Sequence, residues 1–282
     1  MSEEQESTSA GRSNVDSEDK VEDDQAKVQE SIVKLRTLIV EEKKLRVRND
    51  DHFLLRFLRS SELDAEKAFE KLVKFYKFKA KNKEYFCSEP ASEYRDLLSQ
   101  NFCTLLEDSD QHGRRVFLAK MAEIDFDSTT VKQCIKINDL WMELALEEDE
   151  TQKNGFVMIL DLGGLPLRLV KFLHPKATIT STLKTEMRPW SNFEVHVVNY
   201  NALVSTLVNL LFPLLTTKMK EQIHFHGKDW GSLHKFITPE VLPQEYGGQK
   251  STIDYQKMQQ YVYDNEEKLL ELCSLGYIDE GK

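Results

Sequence analysis

Residues with chemistry to offer are few and scattered. His224, His226 and His234 come nearest to a metal constellation, because residues two apart on a strand share a face. No Cys or carboxylate completes a ligand set at a familiar spacing, so a structural role is expected of them. Glu147, Glu148, Asp149 and Glu150 form an acidic run that reads as a solvated helix end. Gly163-Gly164 follows a strand-like run but lacks the spacing and the Lys of a phosphate cradle, so it reads as a tight turn. Cys87, Cys103, Cys134 and Cys273 form no C-x-x-C pair and are too few and too far apart to staple the chain, which suits reduced, mostly buried thiols. With no G-x-S-x-G elbow, Walker-type loop, H-E-x-x-H or G-x-G-x-x-G, the expectation is a protein that is not an enzyme and holds no metal or cofactor.

The stretch that does stand out carries no charge. From Val195 to Thr217 there is no Asp, Glu, Lys or Arg, in a chain where 30% of residues are charged. Val195 to Asn199 is β-branched and reads as a buried strand. Asn201 to Thr216 reads as a helix whose small and polar residues, among them Ala202, Ser205, Thr206, Asn209 and Pro213, fall within an arc of about 100°. Large apolar residues cover about 200° of the remainder, twice what docking on one core requires. Val204, Leu207, Leu211 and Leu215 form one compact face, and Leu203, Leu210 and Leu214 a separate flank. Asn209 and Pro213 interrupt a run already short of the roughly 20 residues that cross a bilayer. Two readings stand: a helix buried on both sides, or a lid over an apolar cavity whose outer face meets a membrane.

The elements around this stretch follow from pattern and charge. Of the net charge of −10, residues 1–24 carry −7, which marks an acidic leader without structure and leaves a nearly balanced body with no basic face for nucleic acid. Val28, Ile32, Leu35 and Ile39 trace an amphipathic helix. Asn49-Asp50-Asp51 and Asp64 offer N-caps to two more, giving a helical unit over 25–86. Beyond it, Phe102–Leu106 and Val116–Met121 suggest a hairpin, followed by a helix from Ser128 to Glu148, a strand at Phe156–Leu160, a further helical region, the strand at Val195, the helix at Asn201 and a strand at Ile223–Phe225. That alternation implies an α/β domain over 87–250 with a mostly parallel sheet and flanking helices, then a C-terminal helix and tail over 251–282. Without a signal-like start or an apolar run of 18 residues, a cytoplasmic location is expected.

Four stretches carry a resemblance. Phe53-Leu54-Leu55-Arg56-Phe57-Leu58-Arg59, Glu150-Thr151-Gln152-Lys153-Asn154-Gly155, Ile223-His224-Phe225-His226-Gly227 and Leu242-Pro243-Gln244-Glu245-Tyr246-Gly247-Gly248 together resemble the CRAL-TRIO lipid-binding proteins. The branch they resemble is that of the alpha-tocopherol transfer protein and the cellular retinaldehyde-binding protein. The resemblance implies a cavity closed by a gate helix at Asn201–Leu215 and a monomeric carrier that takes one lipophilic molecule, of tocopherol or retinoid kind, between membranes. It places Ile135, Asn138, Met142, Phe156, Met158, Leu160, Leu183, Trp190, Val204, Leu207, Leu211 and Leu215 in the cavity lining. Leu203, Leu210 and Leu214, with Leu165 and Leu167 of the adjoining loop, are the residues expected at the membrane. The branch also implies a basic phosphoinositide cleft, matched here by Ser61, Ser191, Phe193, Lys218 and Gln222. Only Lys218 is basic, so weak headgroup binding is expected, with Lys220, Arg56 and Arg59 as compensating cations. A non-catalytic scaffold acting through its acidic leader is the alternative.

Overall fold

The computed structural model describes residues 10–165 and 175–278, with side chains from residue 25 onward except at 203, 204 and 207. Helices α1 (Ala10–Glu41), α2 (Asp51–Arg59) and α3 (Ala65–Lys81) form the N-terminal unit, with the short strand β1 (Leu45–Arg46) between the first two. Asp50 and Asp64 cap α2 and α3 by accepting bonds from the Phe53 and Lys67 amides, as their positions in the sequence suggest. Ile32, Leu35, Phe53, Phe57 and Leu72 meet in one core. Helix α1 begins at Ala10, inside the segment expected to carry no structure. A helix nucleated by an apolar stripe extends one residue at a time without a new nucleus, and Glu, Gln and Lys suit that extension.

The larger unit opens with α4 (Arg95–Leu98) and the hairpin β2 (Cys103–Ser109) and β3 (Arg115–Lys120). Next come α5 (Val131–Leu146), α6 (Asp149–Asn154), β4 (Phe156–Asp161), α7 (Pro175–Met187), β5 (Phe193–Val198), α8 (Ala202–Leu211), α9 (Thr217–Glu221), β6 (Ile223–Gly227) and α10 (Trp230–Leu233). Helices α11 (Tyr255–Asp264) and α12 (Glu266–Ser274) lead to β7 (Gly276–Tyr277), which pairs antiparallel with β1 and returns the chain to the helical unit. The five-stranded sheet runs β2-β3-β4-β5-β6, antiparallel at the hairpin and parallel elsewhere, which is the α/β class the alternation implies. Two elements are shorter than expected. A capping box of Thr130 and Gln133 starts α5, and α8 gives way at Phe212–Leu214 to a tighter turn because Pro213 brings no donor for a further helical bond.

Strand periodicity gives the sheet two different faces. On one, Val157, Ile159 and Val198 pack against Leu233, Ile237, Leu242 and Tyr246 in a dry layer. On the other, register aligns Met158 with Val195 and Leu160 with Val197, and Val195 in turn with Ile223. The histidines belong to the first face. His196 is fully buried, its Nδ1 lies 2.9 Å from His226 Nε2, and His226 Nδ1 lies 2.8 Å from Ser232 Oγ. His224 stacks on His196, and Phe236 packs against all three rings, while His234 Nε2 bonds the Tyr246 carbonyl. Among the described residues no group of three or more His, Cys, Asp or Glu is placed to hold a metal.

Burial, with His226 and His224 alongside, holds His196 down at about 3, so the folded chain keeps it neutral while the unfolded chain protonates it near the ordinary value. Its contribution is therefore complete above about pH 6.5 and falls by about 1.4 kcal/mol per unit as pH drops toward the folded value. Urea unfolding should show a loss of roughly 2 kcal/mol between pH 7 and pH 5, and His196→Gln should flatten that slope. A stability flat over this range would contradict a neutral, buried His196.

Candidate ligand-binding cavity

Helix α5 carries two adjoining stripes with different tasks. Asp139, Glu143 and Glu147 recur every four residues, and each accepts buried cations. Asp139 takes Lys184 Nζ at 2.9 Å and the Arg188 guanidinium. Glu143 takes Arg188 at 2.6 Å and Arg56 at 3.2 Å, and Glu147 takes Arg48 at 3.0 Å as well as Arg56. Glu147 is therefore not part of a solvated helix end: its side chain is 7% exposed and is held by cations from the N-terminal unit. The second stripe, Ile135, Asn138 and Met142, turns toward the sheet.

Between that stripe and the sheet lies a cavity of about 400 Å³. Met158, Leu160, Val195 and Val197 form its floor, and Val208, Leu211, Phe212 and Leu215 close it from the α8 side. One wall is polar: Thr178, Ser181, Thr182 and Thr185 of α7 occupy the cavity face at helical spacing, beside Asn138. The Asn138 amide oxygen is cut off from solvent and meets no hydrogen-bond partner among the described residues.

Of the lining residues expected from sequence, Ile135, Asn138, Met142, Met158, Leu160, Leu211 and Leu215 stand in this wall. Phe156 and Trp190 stand behind it, stacked at 4.6 Å and each 6.0 Å from Phe193, the ring that reaches the cavity. Leu183 points away, since on α7 it lies nearly opposite the Thr178–Ser181–Thr182 face. The side chains of Val204, Leu207 and Leu203, and all of Leu167, lie outside the described residues. The α7 hydroxyls went unread, although their three- and four-residue spacing is plain in the sequence.

The expected membrane flank divides. Leu210 is 68% exposed and Leu214 is also exposed, with Ile179 and Phe225 as further exposed apolar side chains. Leu165 is instead buried in the cavity wall, a correction that follows from its position where the chain leaves β4 and turns over the sheet. The expected headgroup cations divide too. Arg56 is buried in the ion network, and Arg59 bonds Asp149 at 3.1 Å and Gln152 at 2.6 Å, so both are already committed. Lys218 is exposed, and Lys220 sits over the Phe212 ring. A separate cleft of about 100 Å³ joins Ser191, Phe193, Lys218 and Gln222 with Lys71, which no motif singles out. Burial, with Lys218 nearby, pulls Lys71 down to about 8.

The model of the CRAL/TRIO domain matches residues 99–248, more than half of the chain. The chain belongs to the CRAL/TRIO family. It is 30% identical over 210 residues to clavesin-1 of Rattus norvegicus, covering 72% of this chain and 58% of clavesin-1. It is 28% identical over 223 residues to clavesin-2 of Homo sapiens, covering 78% and 68%. The chain thus spans less than two thirds of the length of clavesin-1. The crystal structure of Sfh5 superposes with a TM-score of 0.51 at 13% identity, over 86% of this chain and 98% of Sfh5, which speaks to the fold alone. Both of these relatives are clavesins, whereas the motifs resemble the branch of tocopherol and retinaldehyde carriers.

Most CRAL/TRIO motif residues here hold the scaffold, while Ile223 and Phe225 reach the cavity. Gln152 donates to the Leu146 carbonyl, and Gly155 has φ +98°, where a Cβ would lie 2.4 Å from the Asn192 carbonyl oxygen. Tyr246 donates its hydroxyl to Asp161, which also receives the Gly163 amide and the Asn199 amide group, fixing the turn after β4. A Cβ at Gly248 would lie 2.0 Å from the Leu242 carbonyl oxygen.

Replacing Arg56 with Leu removes a buried cation shared by Glu143 and Glu147, which keep Arg188 and Arg48, and should cost about 3 kcal/mol in chemical denaturation. Arg59→Ala acts on a pairing with an exposed carboxylate and should cost about 1 kcal/mol or less. Equal effects would refute the division between them.

Proposed function

We propose that this chain is a carrier of one lipophilic molecule, held between α5, α7, the sheet and α8, and exchanged with membranes without bond making or breaking. The observation that carries this reading is the cavity: apolar on its floor and lid, large enough for a small lipid, and closed by a helix with Val208 and Leu211 inside and Leu210 outside. A lipid exposing about 20 carbons to water would lose on the order of 15 kcal/mol at ~0.8 kcal/mol per CH₂, so a cavity that replaces those contacts removes most of the barrier to transfer. The exposed Leu210 and Leu214, with Phe225 beside Phe212, form the surface proposed to enter the bilayer, joined by Leu203 and Leu167. Among the described residues no helix is long and apolar enough to cross a membrane, so the contact is peripheral. A cytoplasmic monomer built from a helical unit at 25–86, a lipid-binding domain at 87–250 and a tail at 251–282 suits this cycle.

The cleft of Lys71 and Lys218 is the place proposed for an anionic headgroup of the phosphoinositide kind. Two lysines beside Glu186 form a weaker phosphate site than paired arginines, so its binding should fall steeply with salt. The test separates the two sides of α8 and the segment after it. Leu210→Asp with Leu214→Asp should leave folding and ligand retention intact while transfer between vesicles falls at least about tenfold, as carboxylates at bilayer depth cost a few kcal/mol each. Leu211→Asp with Leu215→Asp should lose ligand binding even without vesicles. If both pairs leave transfer unchanged, the carrier reading fails and a scaffold role gains.

A further inference from the structure

Away from the cavity, two thiols distant in sequence meet where the C-terminal helix returns to the helical unit. We infer that Cys87 and Cys273 are a modification site: hydrogen peroxide joins them in a reversible disulfide that latches α12 onto the segment between α3 and α4. Both are free thiols that line one small cleft, beside Lys79, Asp139 and Glu143, and the Cys273 thiol donates a hydrogen bond to the Cys87 sulfur. The backbone on each side is pinned. Asp139 accepts from the Cys87 amide at 3.2 Å, and Lys184 donates to the Tyr85 carbonyl at 2.6 Å. Across the cleft, Lys79 donates to the Cys273 carbonyl at 2.7 Å and to the Leu275 carbonyl at 2.9 Å. Neither sulfur can leave the other without breaking a buried polar contact.

The other two cysteines lack this environment. Burial raises Cys103 well above the ordinary thiol value and pushes Cys134 up to about 12, so both stay protonated and inert. In the pair, the bond donated by Cys273 holds the Cys87 thiol below the ordinary value and raises Cys273. Cys87 is therefore the nucleophile, and the half-buried Cys273 marks the side from which a small oxidant arrives. The Cys87 thiolate attacks one peroxide oxygen, an S–O bond forms, the O–O bond breaks, and the departing hydroxide takes up a proton as water. The Cys273 sulfur then attacks Cys87, the S–S bond forms, and the hydroxyl leaves with the Cys273 proton as a second water. Two thiols lose two electrons and one peroxide gains them. The bond closes a loop that contains the five-stranded sheet and α4 to α11, so it constrains the unfolded chain strongly.

The test treats the full chain, reduced and freed of reductant, with a small molar excess of hydrogen peroxide at neutral pH. After catalase the protein is alkylated with N-ethylmaleimide in guanidinium, digested without reduction and mapped by mass spectrometry. One peptide pair joining Cys87 to Cys273 is expected, two hydrogens lighter than the reduced pair, with Cys103 and Cys134 alkylated. The melting temperature should rise by about 5–10 °C and return when dithiothreitol is added. Cys273→Ser should abolish both the linked pair and the rise. If that variant does not fold, the peptide map and melting shift of the unaltered chain decide alone. Four alkylated thiols, over-oxidised sulfur without a link, a link that includes Cys103 or Cys134, or a Cys87–Cys273 link that leaves the melting temperature unmoved each overturn the inference.

Discussion

Arg188, fully buried and shared between Asp139 and Glu143, is the contact on which the rest of the molecule depends. It ties the end of α7 to the middle of α5, and Arg56 carries the same network into α2 of the helical unit. Ion pairs of this kind add little net stability over an apolar replacement, but removing one partner is severely destabilising. Their use here is positional. Two helices that border an open cavity cannot be held by packing alone, because the lining side chains lack partner atoms on one side and gain by collapsing inward. A directional network at the rim resists that collapse. Lys79 extends the same tie by donating to the Cys273 and Leu275 carbonyls, which anchors the C-terminal helix against α3.

A second constraint is the difference between the two faces of the sheet. One is closed by Tyr246, Leu242 and Ile237 in a layer secured by the Tyr246 bond to Asp161, so the strands are rigid from behind. The other presents Met158, Leu160, Val195 and Val197 to a cavity. A rigid floor lets the lid differ from it. Helix α8 gives way at Pro213, has no charged side chain and keeps Leu210 in solvent, the apolar surface on which the proposed membrane contact rests.

The parts of this arrangement that could be read from sequence are those governed by local rules. Caps at Asp50 and Asp64, the apolar strand runs at β4 and β5, and the charge-free α8 stretch each follow from a few neighbouring residues. The ion network could not be reached that way. Glu147 in an acidic run looks solvated until Arg56, ninety-one positions earlier, is seen beside it. Arg56 and Arg59 likewise look like free cations only while their partners on α5 and α6 are out of view. The resemblance puts Phe156 and Trp190 at the cavity, yet they stack one layer behind Phe193. Which of several stacked rings reaches a cavity depends on depth, and periodicity carries no information about depth. The α7 hydroxyls were available from spacing alone, but amphipathic reasoning looks for apolar stripes and passes over a polar stripe that faces inward.

Occupancy of the cavity bears most directly on the central claim. Protein isolated from its natural source under non-denaturing conditions should show, in native mass spectrometry, one added mass per chain that extraction with organic solvent removes. Reloading that lipid should restore the mass and raise the melting temperature. A chain that is folded and unliganded from every source, and whose melting temperature no lipid moves, would contradict the account.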